Sequence, residues 1–251
     1  MAEINKALIG KEYPPLYLDD RVGAASEWGD VIAPPTFAVT FRDDTADTGA
    51  LLRDLGTDIS RILHGEQEFE LFRPLQPGET YLCRARIVDI YQLGGGREGG
   101  RAPFCKQMKY GKVYFDDVKV GDELPPLVKD PIQQIQLTRY AGASGDFNPI
   151  HLDDEFARAA GMSGVFAHGM LSMGFVAQAL TDWAGAGTVR KLAVRFAALV
   201  RLKDVETCRG RVLAKSSKDD VNLVELEVWA ETQKAEKVVS GRATVALPTR
   251  A

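Results

Sequence analysis

Asp146 and His151 stand five positions apart in the segment ASGDFNPIHLDD (Ala143 to Asp154), with Asn148-Pro149 between them. Proline at 149 blocks helix continuation and biases Asn148 toward an extended backbone, so the chain turns here. A turn of this kind brings a carboxylate and an imidazole to the same side. Such a pair is a competent acid–base unit, because histidine titrates near neutrality and a partly buried aspartate is tunable toward it. The same residues also read as an Asn-Pro turn in which Asp146 caps and His151 packs. His168, at the head of an apolar stretch, reads either as a second base or as a residue packed at a helix start.

Other reactive residue types carry less. Cys83, Cys105 and Cys208 have no CxxC spacing, which argues against a disulfide framework or a structural zinc site and for a reducing compartment. Cys83 and Cys208 fall at matching positions of two related strands, which suits core packing. His64 has no partner motif. GGGREGG (Gly94 to Gly100) lacks the Lys-Ser/Thr ending of a phosphate loop and reads as a flexible connector. Arg190, Lys191, Arg195, Arg201 and Lys203 flank one strand, as contacts for a phosphate-bearing carrier or as ordinary surface charge.

The elements that must position Asp146 and His151 follow from hydrophobic spacing. Pro131 to Ala141 is a strand or short helix leading into the site. Asp153 to Ala160 predicts a short helix with an acidic start, which suits the positive helix N-terminus. His168 to Trp183 is apolar on most faces, as in a helix buried nearly all round. Strands are expected at Leu192–Val200, Thr207–Ala214, Val221–Glu231 and Lys237–Leu247. In the third, Val224, Leu226, Val228 and Ala230 alternate with Glu225, Glu227 and Trp229, the period of a half-buried strand.

The chain repeats itself. Leu16–Thr36 aligns without gaps on Ile150–Met170, so that Leu18, Asp19, Asp20, Ala25, Val31 and Ala33 recur as Leu152, Asp153, Asp154, Ala159, Val165 and Ala167. CRARIVDI from Cys83 aligns on CRGRVLAK from Cys208, and GKEYPPL from Gly10 on GDELPPL from Gly121. The first copy is shortened: Gly10 to Leu18 spans 8 positions where Gly121 to Leu152 spans 31, so any counterpart of Ile132 to Ser144 is missing. Tyr17 stands opposite His151, with Glu12 opposite Asp146 and Pro14 opposite Asn148. The scaffold residues recur while the polar cluster differs, as expected of one working site and one degenerate site.

The 251 residues are 45% hydrophobic and 26% charged, the balance of a soluble globular chain. The net charge of -4 argues against a nucleic-acid binder, which needs a basic surface. The first residues, MAEINKALIGKEYPP, have no apolar core of a signal peptide, and no apolar run reaches the length of a membrane span. A cytoplasmic protein with no membrane partner is expected.

With these residues in view, the second half resembles the MaoC-like (R)-specific enoyl-CoA hydratase and 3-hydroxyacyl thioester dehydratase family. Its signature Asp-x-Asn-Pro-x-His-x-Asp is present as Asp146, Asn148, Pro149, His151 and Asp153, and its His-Gly-Met helix start as His168, Gly169 and Met170. The likeness covers roughly Tyr114 to Pro248. The first half resembles the dehydratase-like domain often fused to that family, with IAPPTF (Ile32 to Phe37) and FRPLQPGET (Phe72 to Thr80) as markers. The resemblance implies an α+β fold, a double hot dog in which a long helix is wrapped by an antiparallel sheet in each repeat. It divides the chain into a degenerate repeat at 1–100, a linker at 101–113 and a catalytic repeat at 114–251.

The resemblance also implies chemistry: a lyase interconverting trans-2-enoyl and (R)-3-hydroxyacyl thioesters in fatty acid metabolism, with Asp146 and His151 as the acid–base pair and Asn148 orienting them. Gly169 would supply an oxyanion N–H, and His168, Met170, Ser172 and Arg195 would line the substrate. Neither metal nor redox cofactor is implied. The substrate partner is an acyl-CoA or an acyl-carrier-protein (acyl-ACP) thioester, and a homodimer or a hetero-oligomer with another hot-dog chain is expected. Competing functions are an acyl-ACP dehydratase subunit, an acyl thioesterase, and a non-catalytic acyl-thioester-binding partner subunit.

Overall fold

The computed structural model describes residues 14–41, 63–83, 113–218 and 221–250. The glycine-rich connector Gly94–Gly100, Cys105, Glu12 and nearly all of the expected linker lie outside the described residues.

Among the described residues, six antiparallel strands form one sheet in the order β1-β3-β6-β5-β4-β2. They are β1 (Glu66–Glu70), β2 (Leu127–Val128), β3 (Val189–Phe196), β4 (Glu206–Lys218), β5 (Val221–Thr232) and β6 (Lys237–Ala246). The alternation read in the sequence is the burial pattern of β5: Val224, Leu226, Val228 and Ala230 are buried, while Glu225 faces solvent. Gly241 of β6 sits where a Cβ would be 2.1 Å from the Ala193 carbonyl oxygen, so β3 and β6 approach closely because residue 241 has no side chain.

Four helices belong to the described residues: α1 (Asp20–Ala24), α2 (Gln134–Ser144), α3 (Asp154–Ala159) and α4 (Gly169–Ala184). Helix α4 lies across the sheet and is buried except at Gly169, Asp182 and Trp183. Leu171, Phe175 and Leu180 are fully buried against Leu192, Val224 and Leu226 of the sheet. Each such side chain contributes about 1.5–3 kcal/mol through removal from water. The helix stops at Gly185, whose φ of 102° leaves the helical region. This is the expected α+β fold, a helix wrapped by an antiparallel sheet, with the first repeat adding β1 to the edge of the second.

The lead-in segment, open between strand and helix in the sequence, is a helix. It begins after extended Gln133 and ends at Gly145 in the left-handed conformation (φ 72°). β3 begins at Val189, before the expected Leu192, and ends at Phe196, because Ala197 bonds to the Val238 carbonyl and the chain turns away.

The repeat is visible in the backbone. Tyr17, Leu18 and Asp19 donate to the carbonyls of Pro14, Pro15 and Pro15 at 3.0, 2.9 and 2.8 Å. His151, Leu152 and Asp153 donate to those of Asn148, Pro149 and Pro149 at 3.1, 3.0 and 2.8 Å. Ala33 bonds to the Leu75 carbonyl as Ala167 bonds to that of Val200, both at 2.8 Å. The 31-residue span of the second copy contains α2, which has no room in the 8-residue span of the first.

Candidate active site

Three local devices bring Asp146 and His151 together. Helix α2 ends at Ser144, whose hydroxyl donates back to the Tyr140 carbonyl at 2.8 Å and accepts from the Asp146 N–H at 3.2 Å. The Asp146 carboxylate then accepts from Asn148 N–H, and the Asn148 side-chain oxygen from Ile150 N–H, each at 3.3 Å. These two aspartate- and asparagine-type turns carry the chain into a single 3-10 turn, Pro149–His151, that delivers the imidazole. Asp153 caps α3 by accepting from Phe156 N–H at 3.0 Å and anchors the far side of the turn.

His151 is buried, and its Nδ1 lies 2.8 Å from the Phe166 carbonyl oxygen. A carbonyl only accepts, so Nδ1 carries the proton and Nε2 presents a lone pair. His168 follows the same logic: its Nε2 lies 3.1 Å from the Asp146 carbonyl oxygen, which leaves the buried Nδ1 as an acceptor without a described partner. The two imidazoles stack with centroids 3.9 Å apart and planes 31° from parallel. Tyr140 covers the His168 ring at 4.9 Å.

Burial pushes the pKa of His151 below the usual histidine range. It takes His168 down to about 4, with the charge of a protonated His151 acting in the same direction. Both rings are therefore neutral at pH 7. Ligand atoms of Asp146, His151 and His168 lie within 4.8 Å of one another, and this carboxylate-and-two-imidazole set is also one a transition metal accepts. Each imidazole gives its second nitrogen to a carbonyl, as metal-bound histidines do.

Gly169 is the first residue of α4, so its N–H has no partner within the helix. The His168 side chain does not cap that end. A Cβ at 169 would meet the Phe196 ring at 3.1 Å, so the ring lies directly over the glycine. A backbone N–H at a helix N-terminus beside a neutral imidazole and a carboxylate can move a proton and hold a developing oxyanion.

The other sequence candidates fall elsewhere. Met170 is buried in the core beneath the helix start. Ser172 donates to the Glu206 carboxylate at 3.0 Å rather than to the cluster. Arg195 lies 3.8 Å from Glu66, and Lys191 3.0 Å from Glu68, across the β1–β3 pair. Arg190 bonds to the Gly187 carbonyl, and Arg201 to Ser163. Cys208 is buried as expected, and burial raises its thiol pKa. Cys83 is instead exposed, because it lies outside any described strand.

Sequence reasoning missed Tyr140, Phe166 and Phe196, which stack on, accept from and cover the site. It also missed Glu206, which is fully buried with its pKa raised by burial to about 7. A lone glutamate opening a strand that otherwise carries its share of surface charge gives no local sign of burial.

The matched backbones place Tyr17 where His151 stands and Pro14 where Asn148 stands. The gap-free alignment continues to Pro35 opposite Gly169. Tyr17 is buried beside Thr181 and Asp182 in the last turn of α4, and burial raises its phenol pKa.

Residues 117–234 match the model of the MaoC-like domain, and residues 6–101 match that of the FAS1-like dehydratase domain region. The second repeat is thus similar to the MaoC-like dehydratases. A UPF0336 protein of Thermobifida fusca is 41% identical over 81 residues, which are 32% of this chain and 53% of that protein. Peroxisomal enoyl-CoA hydratase 2 of Arabidopsis thaliana is 26% identical over 178 residues, covering 58% of this chain and 57% of its own length. The chain thus spans about half the length of these curated relatives. A solved MaoC-like dehydratase superposes with a TM-score of 0.73 at 25% identity, covering 99% of this chain and 93% of the other. Among the described residues, no helix is long and apolar enough to cross a membrane.

Proposed function

We propose that the chain is a hydro-lyase that interconverts trans-2-enoyl and (R)-3-hydroxyacyl thioesters at the Asp146–His151 pair. The observation that carries this reading is the neutral His151 ring, locked by the Phe166 carbonyl at 2.8 Å so that Nε2 is free as a base beside the Asp146 carboxyl. In hydration, His151 Nε2 takes a proton from water as the water oxygen adds to C3. The Asp146 carboxylate holds that water by a hydrogen bond, and the proton taken up by His151 is delivered to C2, which restores the pair with one water consumed. Negative charge grows on the thioester oxygen between these steps, and the Gly169 N–H stabilises it. Asn148 acts by building the turn that aims His151.

The first repeat is a degenerate copy in this reading. A buried phenol at Tyr17 stays protonated and is no base, and Pro35 has no N–H to offer an oxyanion. The likeness to a peroxisomal enoyl-CoA hydratase 2 supports the substrate class. CoA and acyl-carrier protein present the same thioester arm, and either carrier fits.

The test is the loss of ultraviolet absorbance of the conjugated enoyl thioester, with crotonyl-CoA and a long-chain enoyl-CoA. Asp146→Asn and His151→Ala should each lower the rate by about 10²–10⁴-fold with the fold intact. Normal turnover by both variants would sink the mechanism. Release of free thiol without change at C2–C3 would place the chain among thioesterases instead.

A further inference from the structure

The two repeats meet across a local two-fold axis that passes between Glu68 of β1 and Ala193 of β3. Around it the register is symmetric: Glu66 pairs with Arg195, and Glu70 with Lys191. Just outside the strands, Leu71 N–H donates to the Arg190 carbonyl at 2.7 Å, and its mirror image, Phe196 N–H, donates to the Gly65 carbonyl at 2.8 Å. The axis therefore exchanges Leu71 with Phe196 and Gly65 with Arg190. By the same step it exchanges His64 with Val189.

This symmetry has a consequence for the site. A small apolar pocket at the first repeat's degenerate site is walled by Ala33, Pro34, Pro35 and Leu71 from its own repeat, and by Gly187 and Val189 from the other. The axis maps these walls onto Ala167, His168, Gly169 and Phe196, closed from across the interface by His64. A direct contact agrees: the His64 ring packs edge-on against Phe196 with centroids 5.1 Å apart, and that same Phe196 ring covers Gly169. Where the degenerate pocket has valine, the second-repeat site has an exposed imidazole able to donate or accept a hydrogen bond.

We infer that His64 of the first repeat is a substrate-contacting residue of the second repeat's site, gripping the amide-bearing arm that joins the thioester to its carrier. This rests on the function proposed above. A thioester oxygen on Gly169 N–H puts the acyl carbons toward buried His151 and leads the arm outward past Phe196. His64, exposed and packed edge-on against Phe196, stands beside that path. The first repeat thus supplies recognition as well as a sheet edge.

The experiment compares His64→Ala, His64→Phe and His64→Gln in the full chain. It measures binding of butyryl-CoA, which cannot be hydrated, and hydration of crotonyl-CoA. The alanine and phenylalanine variants should weaken butyryl-CoA binding and raise KM about five- to tenfold, the loss of one neutral hydrogen bond, with kcat within about twofold. Glutamine should hold both within about twofold. Unchanged binding in all three variants, or wild-type binding in His64→Phe, would overturn the inference, the latter by reducing the contact to packing on Phe196. Absence of butyryl-CoA binding to the wild type would overturn it as well. Wild-type protein that binds butyryl-CoA but hydrates nothing would overturn the hydro-lyase reading alone, because the binding arm stands without turnover.

Discussion

A hydrogen bond to a backbone carbonyl decides what each histidine of this site can do. Phe166 holds His151 in the tautomer that leaves Nε2 basic, and the Asp146 carbonyl does the same for His168 with the nitrogens exchanged. Both pKa values are lowered in the fold. Groups of this kind contribute stability above the ordinary histidine pKa of about 6.5, and that stability is lost as pH falls through the folded values. Glu206 has the opposite sign. Its pKa is raised from 4.5 to about 7, so its contribution is complete below pH 4.5 and is lost as pH rises through 7. The loss amounts to about 3 kcal/mol. Denaturant titrations from pH 4 to 9 should show stability falling on both sides. Glu206→Gln, which keeps an acceptor for Ser172, should abolish the decline above pH 5. A decline that persists in this variant would mean that Glu206 is not its source.

At the scale of elements, the proposed mechanism places its oxyanion donor at the start of α4, the Gly169 N–H. Proline is well tolerated as the first residue of a helix, where no N–H is needed for the helix itself. His168 already has the extended backbone (ψ 131°) that a following proline requires. Gly169→Pro would reproduce in the second repeat what Pro35 does in the first. It should lower kcat by about 10²–10³-fold, the loss of one oxyanion donor, with little change in Tm. Phe196 must shift slightly, since it sits 3.1 Å from a Cβ at this position. Gly169→Ala controls for that shift, because it adds the same Cβ and keeps the N–H. If alanine and proline lower kcat equally, crowding by Phe196 rather than the N–H sets the rate.

At the scale of the whole molecule, the two repeats share one sheet. β1 of the first repeat covers the edge of β3, with five residue pairs in register and ion pairs at Lys191–Glu68 and Arg195–Glu66. An uncovered strand edge is a template for pairing with another chain. A fragment of residues 114–251 should therefore self-associate through β3, giving a dimer or larger species by light scattering where the full chain does not pair at this edge. A fragment that stays monomeric and binds butyryl-CoA as the full chain does would show that neither the edge nor His64 matters. The first repeat has a physical use in this view: it covers within one chain a strand edge that would otherwise be open to pairing with another.

Several features were legible without coordinates because they are local. Pro149 after Asn148 forces the turn that pairs Asp146 with His151, and alternation over Val224–Ala230 marks a strand whichever neighbours it finds. The apolar run from Met170 announces a buried helix, and the gap-free match of Leu16–Thr36 to Ile150–Met170 announces two copies. The identity of α2 was not legible, since Pro131–Ala141 has no strong period and its helix is set by packing of Leu137 and Tyr140. Nor were the uses of Ser172 and Arg195, whose partners Glu206 and Glu66 lie 34 and 129 positions away. The sequence alone determined the turn that brings Asp146 and His151 together, the repeat and the strand pattern, because turn sterics and side-chain periodicity act between neighbours. Only the tertiary structure decided which histidine nitrogen is free, what covers Gly169 and that His64 packs on the ring that covers it, because those depend on groups that meet only when the chain packs.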